Sequence, residues 1–171
     1  MPNWCENKLV LVDATKEMID SICSVKRSHC NGTGEGPLKP HIDFETIVPV
    51  PDDPAYRDEP SQAEAKDSPN WWYTWNLKNW GTKWNACDTH INHDTITFET
   101  AWSPPIPIIG ALSEMFPDTV IGLEYHEPGM EFSGQLIMRG GETLLEATWK
   151  YHPDIHTLSL IHISEPTRLL S

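Results

Sequence analysis

Six of the chain's eight tryptophans fall between Trp71 and Trp102. An indole is large, and its N–H needs an acceptor once buried, so a cluster this dense builds either a core or a ligand platform. Spacing sorts the six. Trp71, Trp72 and Trp75 recur at three and four residues, which predicts a helix over about 70–79, with Gly81 supplying a positive φ at its end. Trp84 and Trp102 then bracket a predicted hairpin in which 84–91 and 95–102 flank a loop at His93-Asp94. Ile96, Phe98, Thr100 and Trp102 alternate along its second strand, so register decides which side chains reach the core.

The remaining segments supply the partners of that hairpin. Asn7 to Val12 reads as a first strand, and Asp13 to Thr15 as a cap for a helix carrying Met18, Ile19, Ile22 and Cys23, expected to stop before Asn31-Gly32. A loop follows over 31–40, and extended structure is predicted from Ile42 to Val50. The stretch 52–69, rich in acid, Pro, Ser and Ala, reads as a surface excursion. Ser103-Pro104-Pro105 stops a strand and starts a helix with Ile108, Ile109, Leu112, Met115 and Phe116 on one side, closed by Pro117. Strands are predicted over 119–126 and 131–138, joined through Pro128-Gly129, and a further one over 144–149. This order contains the split βαβ plan of a ferredoxin-like α+β sandwich: an antiparallel sheet, two main helices on one face and a Trp-rich helical insertion at about 51–80.

At 171 residues the chain suits one domain, which we place at 1–157. Its net charge of -13 argues against a generic phosphate-binding surface and permits a basic protein partner. Cys5, Cys23, Cys30 and Cys87 lack C-x-x-C spacing, and neither a signal-peptide core nor a bilayer-length apolar run is present. Reduced thiols, a cytoplasmic location and no membrane insertion are the expectations. Residues 158–171 read instead as translated sequencing adapter: Leu158 to Arg168 follows one frame of the transposase mosaic end, so the native C-terminus is not expected within this tail.

With Trp80-Gly81-Thr82-Lys83-Trp84 and Thr100-Ala101-Trp102-Ser103-Pro104-Pro105 in view, the chain resembles the phage- and plasmid-borne YubB-like family of unknown function, the Api-type phage proteins. Three further segments carry the likeness: Met1-Pro2-Asn3-Trp4-Cys5-Glu6-Asn7, Phe116-Pro117, and Tyr125-His126-Glu127-Pro128-Gly129 followed by Phe132-Ser133-Gly134. The resemblance implies a ferredoxin-like fold, a mobile genetic element and a bacterial host cytoplasm. It implies no activity and no catalytic residues.

Candidate chemistry comes from the hairpin. A two-residue loop at His93-Asp94 sets Asp88 opposite Glu99 and His90 opposite Thr97, with Cys87, Ile91, Ile96, Phe98 and Trp102 on the apolar side. Trp84, Asp88, His90 and Glu99 then share the sheet's open face, which Glu124 and His126 join from another strand. Carboxylates and imidazoles so gathered suit a divalent cation or acid/base chemistry, although a solvated polar face explains the same residues. His90-x-x-His93 does not bring two ligands together on an extended strand. Trp80, Gly81, Thr82, Lys83 and Trp102 form the Trp-rich signature. Its aromatic and cationic composition also fits base stacking, with Lys78 beside Lys83, but the net charge disfavours nucleic acid.

The leading expectation is a phage or plasmid accessory protein that binds a host or element-encoded protein, in its specific version an anti-defence module imitating DNA charge. Its rival is a small enzyme or ligand or metal sensor on the open face. No motif names a cofactor, and catalysis is the less expected outcome.

Overall fold

A computed structural model describes residues 3–27, 37–53, 56 and 71–150. The end of the first predicted helix, loop residues 31–36, most of the 52–69 excursion and the adapter-like tail lie outside them. Among the described residues, eight strands and four helices follow in chain order: β1 (Trp4–Leu11), α1 (Lys16–Ser21), β2 (Cys23–Arg27), β3 (Leu38–Ile42), α2 (Phe44–Ile47), α3 (Trp72–Asn79), β4 (Cys87–Asn92), β5 (Thr95–Ala101), α4 (Ile106–Met115), β6 (Ile121–Glu127), β7 (Phe132–Arg139) and β8 (Glu142–Lys150). No described helix is long and apolar enough to cross a membrane.

Six strands form one sheet in the order β4-β5-β1-β6-β7-β8, with every neighbouring pair antiparallel. β1 sits between β5 and β6, which α4 connects. It is also separated from β4 by β5, so both split βαβ relations of the ferredoxin-like plan are met. β7 and β8 extend that four-strand unit on the β6 side. The core lies on one face of the sheet, where Leu9, Leu11, Ile96, Phe98, Ile121 and Leu123 meet Ile108, Ile109 and Leu112 of α4. Pro104 and Pro105 deliver the chain into α4, and Phe116 closes it, as the prolines predicted.

Three predicted elements differ. The first helix is only Lys16–Ser21, capped by Thr15, and its expected continuation is β2, paired with β3 in a separate two-stranded sheet. Val25 is exposed there, so the apolar stripe ends with Ile22 and nothing sustains the helical period. The extended run predicted over 42–50 is not a strand: β3 lies earlier, at Leu38–Ile42, beginning within the predicted 31–40 loop, and α2 follows because the Asp43 carboxylate accepts the Glu45 N–H and starts a turn. Phe44 then inserts edge-on against both Trp80 and Phe98.

Asp43 also fastens the small sheet to the entrance of β4. It accepts from Ser24, from Lys26 Nζ at 2.9 Å and from Asn85 Nδ2 at 2.6 Å, while Asn85 Oδ1 accepts from the Phe44 and Ala86 N–H groups. Burial works to raise the Asp43 carboxyl, but hydrogen bonds from Ser24, Lys26 and Asn85 outweigh it and hold the carboxyl below its ordinary value. At Gly134 the absence of a side chain lets Tyr125 cross β7, where its hydroxyl lies 3.0 Å from Thr148 Oγ1 on β8; a Cβ there would meet the Tyr125 oxygen at 2.1 Å.

Candidate functional site

The face of the sheet opposite α4 presents two polar rungs, each a line of directly opposed residues. One runs Cys87, Glu99, Glu6, His126, Ser133 and Trp149 from β4 to β8. The next runs His90, Thr97, Lys8, Glu124, Gln135 and Ala147. Alternation explains the assignment: in β1, Cys5, Asn7, Leu9 and Leu11 are buried, while Glu6 and Lys8 are exposed. Glu99, His90, Glu124 and His126 therefore share the open face, spread over β4, β5 and β6 with β1 between them.

Asp88 reaches that site by another route. β4 carries an irregularity between Cys87 and His90, where Asp88 adopts a φ of 43° as an extra residue. His90 still faces Thr97, but Cys87 rather than Asp88 stands opposite Glu99. Cys87 accordingly leaves the predicted apolar side; it is buried without joining the hydrophobic cluster, and it is disulfide-bonded rather than reduced. Cys5 and Cys23 are free, and burial pushes their thiols up to about 12 and about 11. Asp88 Oδ1 lies 3.7 Å from His90 Nε2 and 3.6 Å from Lys39 Nζ.

Charges along the rungs are unevenly matched. Glu124 meets Lys8 Nζ at 3.3 Å and accepts from Gln135 at 3.2 Å. Glu6 Oε2 lies 3.3 Å from His126 Nδ1, so a carboxylate orients an imidazole. Glu99 directly opposes Glu6, and its carboxyl is raised by desolvation first, then by the like charges of Asp88 and Glu6. Glu6, Lys8, Ser133 and Gln135 were missed as site residues. The alternation of β1 and its pairing with β6 supply the signal that finds them. Among the described residues no group of three or more His, Cys, Asp or Glu side chains is arranged to hold a metal ion.

The tryptophans divide between core and surface. Trp80 is 3% exposed, donates its Nε1–H to the Val48 carbonyl at 2.9 Å and packs edge-on against Trp75. Gly81 has the predicted positive φ, 80°, and a Cβ would lie 2.6 Å from Pro107 Cδ. Thr82 is fully buried and donates to the Trp84 carbonyl, so this part of the signature makes a turn. Trp84 precedes β4 instead of lying on it, yet its ring packs 6.4 Å from that of Trp4, which projects from the open face of β1. Lys83 Nζ sits 4.4 Å over the Trp84 ring.

Trp102 departs from the expected buried position. It is 45% exposed and has a φ of 74°, a conformation rare for a bulky residue. Its N–H is tied to the Asn3 carbonyl, while Thr100 Oγ1 and Gly81 O hold Ser103 on either side. Glu127, within the Tyr-His-Glu-Pro-Gly motif, is fully buried and accepts from the N–H groups of Gly129 and Met130, so it serves the turn.

Residues 79–160 match the family model of the ferredoxin-like domain in Api92-like protein. That match covers β4 to β8 and agrees with the observed topology. The crystal structure of protein Api92 from Yersinia pseudotuberculosis is similar at a TM-score of 0.47 and 18% identity, over 72% of this chain and 45% of that one. This chain thus spans less than half the length of the Api92 protein. No curated protein matches the sequence.

Proposed function

We propose that this protein is a phage- or plasmid-borne accessory protein of YubB-like type that acts by binding a macromolecule on the open face of its sheet. The mobile-element origin rests on the sequence resemblance. The face is supported by one observation above the others: Glu99 and Glu6 stand directly opposed on a sheet surface that no described helix covers, with Asp88 close enough to act on Glu99. Like charges so placed disfavour the free protein and favour a cationic occupant. An anti-defence module occupying a basic, nucleic-acid-binding groove is the specific form of this reading.

Capture from host lysate tests it. A partner held at low salt, released at high salt and lost with Glu6→Gln/Glu99→Gln is the expected result; no partner at either salt sinks the proposal. The oriented imidazole of His126 favours a second reading, a small-ligand or acid/base site. Under it, His126→Gln abolishes ligand-induced thermal stabilisation, and a broad ligand screen giving no shift removes it.

A further inference from the structure

One end of the open face joins aromatic surface to carboxylate. Trp4 precedes Glu6 by two residues on the same side of β1, about 7 Å along the strand. The Trp4–Trp84 pair therefore borders the rung on which Glu6 and Glu99 oppose one another. Trp84 is 38% exposed, and Lys83, the chain's own cation, sits over its ring.

We infer that this end of the sheet docks an arginine-bearing segment of a basic protein, with the guanidinium bridging Glu6 and Glu99 and its flat face against the Trp4–Trp84 pair. This deepens the macromolecule-binding reading and rests on it. A planar guanidinium offers paired donors to two carboxylates while stacking on an indole, which a lysine ammonium cannot do together. Nucleic acid would bring phosphates against Glu6 and Glu99, and a second copy would bring the same carboxylates face to face. Lys83 then occupies part of the place that the partner's arginine takes.

The full chain is titrated with an arginine-rich nonapeptide, its all-lysine counterpart and a single-stranded oligonucleotide, read by indole fluorescence and probe anisotropy. The arginine peptide is expected to bind about fivefold or more tighter than the lysine peptide. Glu6→Gln/Glu99→Gln weakens it about tenfold, and Trp84→Leu weakens it about threefold. Lys83→Gln tightens it about threefold, because the ring is freed. Equal affinity for the two peptides, or affinity unchanged by the double glutamine variant, overturns the inference. So does oligonucleotide binding that Lys83→Gln weakens, since there the lysine would be a phosphate contact. A lysate partner lost in the double variant, without arginine-peptide binding, removes this inference and leaves the broader proposal; no partner at either salt removes both.

Discussion

The two faces of the six-stranded sheet are made by the same strands and obey opposite rules. On the covered face Leu9, Ile96, Ile121 and Leu123 are fully buried beneath α4, and the buried polar Asn7 finds Thr100 Oγ1 at 2.9 Å. On the open face Glu99 faces Glu6, and Trp84, more than a third exposed, packs against Trp4. The difference separates residues chosen for folding from residues that folding alone leaves unexplained. Substitutions can test how clean that division is.

Phe44→Ala should show the largest loss, roughly 3–5 kcal/mol, because it empties the contact among Phe44, Trp80 and Phe98; urea unfolding measures it. Asp43→Ala follows, at roughly 1–3 kcal/mol, since Asn85 and Ser24 lose a buried acceptor. Its effect depends on pH in a stated direction. The folded carboxyl lies below its ordinary value, so its stabilisation is present above about pH 4. It is lost as pH falls through the folded value, and wild type and variant should converge in acid.

Changes on the open face should have smaller effects, or the opposite sign. Trp102→Gly should raise stability by up to about 1 kcal/mol by relieving the left-handed backbone. Thermal unfolding that falls markedly instead would place Trp102 with the core. Glu99→Gln should stabilise by a few tenths of a kcal/mol at neutral pH, from removal of a directly opposed like charge. Since the folded Glu99 carboxyl is raised, this gain shrinks as pH falls and the wild-type carboxyl protonates. A gain constant across that range would show that charge is not its cause.

Much of the fold was legible because apolar period and proline punctuation agreed from Trp84 onward. Ile108, Ile109 and Leu112 marked α4, and the His93-Asp94 loop fixed the His90–Thr97 pair. Before Asp43 the same signals misled. Four apolar positions suited a helix, but β2 gained its partner from β3, a tertiary pairing that local periodicity does not encode. Of the candidate site, Glu99, His90, Glu124 and His126 were placed by alternation. Glu6 required knowing that β1 lies between β5 and β6. Asp88, Cys87 and Trp102 failed for one reason: each depends on a backbone conformation that breaks the two-residue period, and no hydrophobicity pattern announces it.

The extra residue at Asp88 uncouples chain length from face assignment. Because Cys87 opposes Glu99 and His90 opposes Thr97 on either side of it, removing Asp88 would restore a regular ladder without changing either pairing. β4 behaves there like two words separated by a spare letter. An insertion or deletion anywhere else in the strand would exchange what the sheet shows to solvent for what it hides, whereas at this position it alters only the spacing.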